Sequence, residues 1–252
     1  MFRSKSKTRD LHGKTYWLIG ASEGLGRDLA KEMKRMGAEL ILSARSGDRL
    51  QALAEEIGGA TVVPVDVTDT ASVAVATAKA AHADGLIYCV GEYDPMTAAE
   101  WDATKALAIA DTNFMGAMRI LGRVVPGWVQ RGEGHVVLIG SLAGFKGLPG
   151  AIGYGASKAA LRHLAEDMYI DLKGTGVDVQ VANPGFIRTR LTAKNSFSMP
   201  QIMEPGEAAR QVMCLVRNSE PRQLSFPAPF AWVFTVLGRL LPFRLYARIV
   251  SG

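Results

Sequence analysis

The chain has 252 residues, of which 48% are hydrophobic and 21% are charged. This length fits one or two domains, and the apolar content is enough for a large core, which excludes a disordered chain. The net charge is +5, but the excess positive charge lies at the two ends, and residues 15–220 are slightly acidic. A nucleic-acid-binding fold carries a basic stripe on its own surface, so we expect no nucleic-acid partner.

Cysteine and histidine are too few and too scattered for a disulfide framework or a metal site. Cys89 and Cys214 lie far apart, and the four histidines show no ligand spacing. Two reduced thiols are typical of a cytoplasmic protein, so we expect that location. The N-terminus lacks the apolar segment of a secretory signal. The longest uncharged stretch, 223–238, contains two prolines and is too short to span a bilayer.

Short apolar runs alternate with helical patterns along the chain. The runs are continuously apolar, which indicates strands covered on both faces, as in a parallel sheet between two layers of helices. We predict strands at 16–19, 39–42, 61–65, 86–90, 136–139, 177–181 and 223–226, and helices at 25–36, 49–57, 72–82, 113–130, 154–173 and 206–217. The sequence therefore predicts one doubly wound α/β domain over 15–226, with a mostly parallel seven-stranded sheet. A basic N-terminal arm, 1–14, precedes it, and an apolar and basic extension, 227–252, follows it.

Three glycines, Gly20, Gly24 and Gly26, separate the first predicted strand from the first helix. Such a turn lets a pyrophosphate approach the free N–H groups at the N-terminus of the helix, where the helix dipole also favours negative charge. A glycine-rich turn without a ligand is the alternative. The position between the first strand and the first helix favours nucleotide binding.

The residues after the second strand indicate which nucleotide is bound. An acidic residue there would accept a hydrogen bond from the ribose 2′-hydroxyl of NAD, whereas this chain has Arg45. Arg45 can pair with a 2′-phosphate, and Ser43 or Ser46 can donate a hydrogen bond to it. We therefore predict a preference for NADP(H), with NAD(H) as the second choice. The alternative is that Arg45 only begins the solvated face of the next helix.

Four further residues are candidates for the same site. Asp66 closes the third strand, where its carboxylate can accept from an adenine amino group or cap the following turn. Tyr154 and Lys158 lie one helical turn apart, so an ammonium stands near a phenol and favours its ionised form. Ser141 follows the fifth strand, at the edge of the sheet where open α/β folds bind ligands.

These residues together resemble the short-chain dehydrogenase/reductase family, from about residue 14 to residue 223. The resemblance is carried by the glycine pattern and by Asp66, Asn113, Ser141, Tyr154, Lys158 and the Asn-Pro-Gly motif at 183–185, which occur in the order and spacing of that family. It implies a single Rossmann domain and hydride transfer between a nicotinamide cofactor and an alcohol or carbonyl. Family members commonly form dimers and tetramers, so the resemblance also implies a homo-oligomer.

The resemblance also implies a role for each matching residue. Tyr154 would be the general acid for carbonyl reduction and the base for alcohol oxidation. Lys158 would lower the pKa of Tyr154 and bind the nicotinamide ribose, Ser141 would hold the substrate oxygen, and Asn113 would hold a water that links Lys158 to solvent. The implied cofactor contacts are Gly20, Ser22, Gly24, Leu25, Gly26, Arg45, Asp66, Val67, Gly91, Tyr154, Lys158, Pro184, Gly185, Ile187 and Thr189.

The chain departs from the family pattern at three positions. Ile19 replaces the usual threonine before the first glycine, and Cys89 stands in the usual Asn-Asn-Ala-Gly motif, where it is a poor donor. Glu23 stands where NADP enzymes often have a basic residue, and its carboxylate would repel a 2′-phosphate. None of these departures affects the proton-transfer residues.

The expected function is an NADP(H)-dependent oxidoreductase that interconverts a carbonyl and an alcohol. The alternative is a nucleotide sensor or interaction protein on the same fold, but such a protein needs no tuned tyrosine. The segment 186–203 contains Phe197, Met199, Ile202 and Met203, which favours a hydrophobic substrate beneath a mobile lid. A solvated loop with ordinary packing residues is the other interpretation.

Residues 224–250 are rich in aromatic and aliphatic side chains, and their only charges are arginines. Because the sheet is complete by residue 226, we predict that this extension forms an interface. Subunit contact is the first choice and peripheral contact with an anionic membrane is the second. A lid over the chain's own substrate pocket is the alternative to both.

Overall fold

The fold is seen in a computed structural model that describes residues 8–251. Seven parallel strands form one sheet in the order β3-β2-β1-β4-β5-β6-β7. The strands are β1 Thr15–Ile19, β2 Glu39–Ser43, β3 Thr61–Val62, β4 Gly85–Tyr88, β5 Gly134–Ile139, β6 Val177–Pro184 and β7 Gln223–Phe226. The strand order reverses beside β1, which is the topology of a doubly wound dinucleotide-binding fold. The predicted fold class is confirmed.

Helices cover both faces of the sheet. They are α1 Gly24–Arg35, α2 Gly47–Glu56, α3 Thr70–Lys79, α4 Ala103–Ala110, α5 Gly116–Arg131, α6 Ile152–Asp171, α7 Pro205–Val216, α8 Ala228–Trp232, α9 Gly238–Leu240 and α10 Phe243–Ser251. One core lies between the sheet and helices α1, α2 and α7, and it includes Leu29 and Val212. A second core, including Ile120 and Leu161, lies on the opposite face beneath α3, α5 and α6.

The largest differences from the predicted elements lie at the third strand and at the helix predicted over 113–130. The regular part of the third strand ends at Val62 rather than at residue 65, although the N–H groups of Val63 and Val65 still donate to the carbonyls of Leu42 and Ala44. The predicted helix 113–130 is longer at its N-terminal side: α4 continues through a π-helical turn, Asp111–Met115, into α5. The sequence analysis did not predict α4, whose residues are apolar on most sides and lack a clear amphipathic period.

Both ends of the described chain contact the domain. Arg9 donates to the carbonyl of Val216 and forms a 2.6 Å ion pair with Asp178, so residue 9 of the predicted arm is attached to the body. Residues 1–7 of that arm lie outside the described residues. At the other end, a π-helical turn, Val233–Leu237, joins α8 to α9, and α10 follows. No helix in residues 8–251 has the length and apolar character needed to cross a membrane.

Candidate active site

A cleft of about 330 Å³ opens at the carboxyl ends of the strands. Every residue of the predicted cofactor set lines it, from Arg45 and Asp66 at one end to Tyr154 and Lys158 at the other. Asn113 and Ser141 do not line the cleft, but each contacts the residues around it, as described below. The structure therefore places the sequence-predicted site residues within one region.

The glycine loop is shaped by close backbone contacts. Gly20 has a φ of +92°, and a Cβ there would lie 2.8 Å from the carbonyl carbon of Cys89. A Cβ on Gly26 would overlap the carbonyl oxygen of Gly20. The loop thus packs against both β4 and the first turn of α1 at distances that only glycine allows. Helix α1 begins without a side-chain cap from Glu23, so its first N–H groups are open to the cleft.

The adenine end of the cleft has one serine fewer than predicted. Ser43 is fully buried, accepts a 2.8 Å hydrogen bond from the Trp17 indole and donates to the carbonyl of Val63. Ser43 is therefore unable to donate to a 2′-phosphate, and of the two predicted serines only Ser46 stays a candidate. Ser46 and Arg45 line the cleft, and Arg45 is exposed and forms no hydrogen bond or ion pair with any residue between 8 and 251.

Asp66 caps the turn that follows its strand. Its Oδ1 accepts from the backbone N–H and the hydroxyl of Thr68, at 2.9 and 2.7 Å. These hydrogen bonds are the main reason why the pKa of Asp66 lies below its usual range. Of the two predicted uses, capping is present in the structure, and an adenine contact stays a prediction.

Glu23 is held by two arginines at the mouth of the cleft. Its Oε1 lies 2.8 Å from Arg190 Nε and its Oε2 lies 3.1 Å from Arg49 Nη1. The sequence analysis did not predict either ion pair. Arg190, for example, is 167 positions from Glu23 along the chain. Their positive charges offset the carboxylate that would otherwise repel a phosphate.

Ser141, Tyr154 and Lys158 meet at the carboxyl end of β5. Ser141 follows the strand, and its hydroxyl accepts from Ala143 N–H at 3.1 Å and is hydrogen-bonded to Tyr154. Tyr154 and Lys158 occupy the first two turns of α6, with Lys158 Nζ 5.8 Å from the centre of the Tyr154 ring. Lys158 is buried, and its Nζ donates to the carbonyl of Ile139 at 2.9 Å. A phenol and a fixed cation thus share one wall of the cleft, and the hydroxyl of Ser141 lies directly behind the phenol.

Burial shifts the pKa values of this group. Desolvation raises the pKa of the Tyr154 phenol, and the hydrogen bond to Ser141 opposes that rise. Desolvation also lowers the pKa of Lys158 to about 8. The resemblance implied that Lys158 lowers the pKa of Tyr154, whereas here the burial of the phenol is the largest influence. The protonated phenol is therefore the favoured form in this structure.

Asn113 lies in the π-helical turn and is fully buried. Its Nδ2 donates to the carbonyl of Glu92 at 2.9 Å and to Ser157 Oγ at 3.0 Å, and its Oδ1 accepts from Glu92 N–H at 2.6 Å. The side chain therefore ties the loop after β4 to helix α6, next to Lys158. Its predicted role in holding a water stays a prediction.

Tyr93 is a neighbour of Tyr154 that the sequence analysis missed. The two rings meet edge to face at 5.2 Å, and the Tyr93 hydroxyl donates to Asn195 Oδ1 at 2.8 Å. Tyr93 therefore connects the loop after β4 with the segment 186–203 that flanks the cleft. Its position shortly after β4, at the carboxyl edge of the sheet, is the signal that could have identified it.

A series of phenylalanines packs behind the cleft wall at Gly185. Phe186 contacts Phe197 and Phe230, with ring centres 5.9 and 5.7 Å apart, and Phe230 contacts Phe234 at 5.1 Å. Gly185, on the cleft wall, lies directly against Phe230: a Cβ there would stand 3.2 Å from its ring. The series joins the segment after β6 to the C-terminal helices, and it makes this side of the site apolar.

No group of three or more His, Cys, Asp or Glu side chains within residues 8–251 could hold a metal ion.

Cys89 and Cys214 are both free, and burial raises the pKa of the Cys89 thiol to about 12. Cys89 also contributes its backbone to the site, since its N–H donates to the carbonyl of Ile19 at 2.8 Å. Backbone contacts therefore join β1 and β4 where the family pattern has polar side chains.

The chain is similar to known oxidoreductases. The sequence model of the short chain dehydrogenase family matches residues 14–199. An oxidoreductase of Myxococcus xanthus (strain DK1622) is 37% identical over 242 residues, covering 92% of this chain and 94% of the relative. The ketoacyl reductase HetN of Nostoc sp. (strain PCC 7120) is 32% identical over 220 residues, covering 82% and 77%. A solved short-chain dehydrogenase from Sphingobium yanoikuyae in complex with NADPH superposes with a TM-score of 0.79 at 27% identity, covering 90% of this chain and 93% of that one.

Proposed function

The chain belongs to the short-chain dehydrogenase family and is an oxidoreductase that uses a nicotinamide nucleotide, and we propose that it interconverts a hydrophobic carbonyl compound and its alcohol with NADP(H). The observation that carries this proposal is the meeting of Ser141, Tyr154 and Lys158 at the end of a cleft that begins at the glycine loop. A nucleotide sensor would need the glycine loop alone.

The residues of the cleft fit a dinucleotide. The uncapped N–H groups of α1 and the close backbone packing at Gly20 leave room for a pyrophosphate at the N-terminus of the helix. Lys158 would contact the ribose beside the nicotinamide, and Pro184, Gly185 and Ile187 would line the nicotinamide ring. When bound, the cofactor supplies or accepts the hydride.

The preference for NADP(H) is supported by charge. Arg45 forms no hydrogen bond or ion pair within residues 8–251 and acts on Asp66 through its charge, so its guanidinium is available for a 2′-phosphate. The carboxylate of Glu23 is already engaged by Arg49 and Arg190, which reduces its repulsion of that phosphate. The Sphingobium neighbour was solved with NADPH, which agrees with the proposal.

The proposed proton transfer uses the chain's own hydroxyls. In carbonyl reduction, Tyr154 donates its phenolic proton to the substrate oxygen, while Ser141 holds the same oxygen. Burial keeps the phenol protonated, which suits a general acid. Lys158, with a pKa of about 8, is mainly charged at pH 7 and stabilises the phenolate that remains. These features suit Tyr154 to donate the proton in carbonyl reduction.

An apolar substrate is supported by the phenylalanines beside Gly185. Phe186, Phe197 and Phe230 offer three aromatic faces at the substrate side. HetN is described as a ketoacyl reductase, and an acyl chain would pack against such a wall. The reacting carbonyl would lie at Ser141 and Tyr154, and the chain would extend toward Phe197.

The test is NADPH oxidation by the purified protein with a series of ketones and β-keto thioesters of increasing chain length. We expect turnover that rises with chain length and a lower KM for NADPH than for NADH. Turnover that falls with chain length would contradict the apolar substrate. Tight NADPH binding without turnover of any carbonyl, and without oxidation of the matching alcohols by NADP⁺, would favour the sensor instead.

We also propose a cytoplasmic homodimer or homotetramer. Support comes from α4 and α5, where Leu107, Met115 and Met118 are large apolar side chains exposed to solvent. An exposed patch of this kind commonly marks a subunit contact. A monomeric mass by light scattering at micromolar concentration would contradict it.

A further inference from the structure

The C-terminal segment 227–251, here named the tail, has two different faces. Its inner face is bound to the chain's own loop after β5. Ala231 and Phe234 pack against Leu142, Tyr246 Oη donates to the carbonyl of Gly147 at 2.9 Å, and Lys146 Nζ donates to the carbonyl of Gly238. This face reaches the cleft only from behind Gly185, and no described residue of the tail lines the cleft, so the lid interpretation stays a prediction.

The outer face of the tail is apolar and exposed. Seven of the sixteen large apolar side chains that are exposed within residues 8–251 lie in this short segment: Trp232, Val233, Val236, Leu240, Phe243, Leu245 and Ile249. Leu240 is 77% exposed and Phe243 is 68% exposed. The spacing of Trp232, Val236 and Leu240 places them on one side of consecutive helical turns. Such a concentration indicates a surface that is covered in use.

The charges of the tail are all positive. Arg244 and Arg248 are exposed, and neither forms an ion pair with any residue between 8 and 251. Arg239 adds a third positive charge in the sequence, and residues 221–252 contain no aspartate or glutamate. The partner of this face must therefore bring the negative charge.

This charge pattern is unfavourable for a symmetric contact between two copies of the tail. In an isologous interface the same patch lies on both sides, so arginines would oppose arginines with no acid between them. Short helices with tryptophan, phenylalanine and arginine on the outer side, and no acid, suit the headgroup layer of an anionic bilayer. The apolar residues are spread over α8, α9 and α10 and suit a broad plane.

We propose that the outer face of the tail docks the protein on an anionic lipid surface. Trp232, Leu240 and Phe243 enter the boundary between headgroups and acyl chains, and Arg244 and Arg248 pair with lipid phosphates or carboxylates. The inner contacts through Tyr246 and Lys146 hold the rest of the domain against the bound tail. The docking is independent of the enzyme's reaction, since the outer face contains none of the cleft residues.

The test is co-sedimentation of the full chain with two kinds of vesicle, pure phosphatidylcholine and phosphatidylcholine with about 30% phosphatidylserine. We expect binding to the anionic vesicles that is at least ten-fold stronger than to the neutral ones and that weakens with added salt. Equal binding to both vesicles, or binding to neither, would overturn the proposal.

Two pairs of variants locate the contact. The double variant Leu240→Ser, Phe243→Ser should lose at least ten-fold in vesicle affinity, whereas Ile170→Ser, which is 68% exposed on α6, should keep it. Arg248→Glu should lose at least ten-fold, because each charge near the membrane contributes about five-fold, whereas Arg210→Glu on α7 should lose far less. All five positions are exposed, so thermal unfolding should be unchanged and serves as the check on folding. Full vesicle binding by the tail variants would overturn the proposal.

Two further measurements test whether the outer face of the tail binds a second copy of the chain or an acidic protein instead of lipid. The first is sedimentation velocity of the same variants. A mass that falls from dimer to monomer in Leu240→Ser, Phe243→Ser would overturn the lipid proposal in favour of a subunit interface. The acidic polypeptide polyglutamate is the probe for a protein partner. If it binds the tail as tightly as anionic vesicles do, the lipid proposal is overturned in favour of a protein partner. We expect an unchanged mass and weak polyglutamate binding.

Discussion

Each end of the parallel sheet holds a tyrosine beside a nitrogen base, and the two pairs differ in how their hydrogen bonds are completed. At the amino end, Tyr16 Oη lies 2.9 Å from His135 Nδ1, and His135 Nε2 lies 2.8 Å from Gln180 Oε1. Gln180 Nε2 then donates to the carbonyls of Asn218 and Pro221. At the carboxyl end, Tyr154 is hydrogen-bonded to Ser141, and Lys158 Nζ donates to the backbone carbonyl of Ile139.

The hydrogen bonds at the amino end determine which atoms of the network carry the protons. The Gln180 amide uses both amide hydrogens on carbonyls, so its oxygen must accept from His135 Nε2–H, and Nδ1 must accept from Tyr16. At the carboxyl end, the side-chain atoms of Asn183 and the hydroxyl of Ser225 are buried without a hydrogen-bond partner among the described residues. A buried polar group that is fully paired adds to stability, whereas one left without a partner costs free energy.

The largest effect is expected from a variant that removes the tyrosine hydroxyl at the carboxyl end. Tyr154→Phe keeps the ring but removes the proton donor, so kcat should fall by at least about 100-fold. The Kd for NADPH, measured by fluorescence, should change little. Tyr93→Phe is the matched control, because its hydroxyl contacts Asn195 at the edge of the site, and it should reduce kcat by less than about ten-fold. Near-normal turnover by the Tyr154 variant would remove it from the reaction.

The amino-end pair predicts how stability depends on pH. Burial lowers the pKa of His135 to about 3, whereas an unfolded histidine titrates near about 6.5. Its contribution to stability is complete above that upper value and is lost as the pH falls, since the unfolded chain then binds a proton that the folded protein does not. The free energy of unfolding should fall by about 1.4 kcal/mol per pH unit below about 6.5.

Urea unfolding at pH values between about 6.5 and about 5 isolates this effect, because ordinary carboxylates are still ionised there. His163→Gln provides a matched control, since that histidine is exposed on α6, and the slope should persist in the variant. A free energy of unfolding that is constant across this range would contradict a neutral, buried His135.

A smaller effect is expected at the adenine end. Arg45→Ala should weaken NADPH binding about ten-fold, because a charge-assisted contact with the 2′-phosphate is lost, and it should leave NADH binding unchanged. Arg49→Ala should cost less, because that guanidinium is already paired with Glu23. Equal losses for both nucleotides in the Arg45 variant would indicate a structural role.

The smallest expected effect concerns Glu23. Glu23→Gln removes the negative charge and releases Arg49 and Arg190, so NADPH should bind up to about five-fold tighter, as expected for exposed ion pairs. NADH, which lacks the 2′-phosphate, should change less. A weaker affinity for NADPH would show that Glu23 is needed to position the two arginines.

The seven strands and the cofactor half of the cleft could be predicted because backbone geometry defines them. Continuous apolar runs specify parallel strands, and glycines at 20 and 26 are required by contacts that a Cβ would prevent. The boundary of β3 was less accurate: backbone hydrogen bonds to the second strand continue to Val65, but the regular strand ends at Val62. Helix α4 was missed, because it lacks a distinct polar face.

Side-chain partners from distant parts of the chain could not be predicted. The pairing of Glu23 with Arg190, the contact of Tyr93 with Asn195 and the inward bonds of Ser43 all depend on tertiary packing. The same limit applies to the tail: its composition predicted a contact surface, but only the fold shows that Phe230 and Phe234 turn inward while Leu240 and Phe243 turn outward.

The distribution of tryptophans gives the tail an optical signal of its own. The chain has four tryptophans. Trp17 and Trp128 are buried in the domain, and Trp101 and Trp232 are exposed. In a Trp101→Phe background, a water-soluble quencher would therefore reach chiefly the indole of Trp232, and the emission wavelength of that indole would follow the polarity around the outer face of the tail.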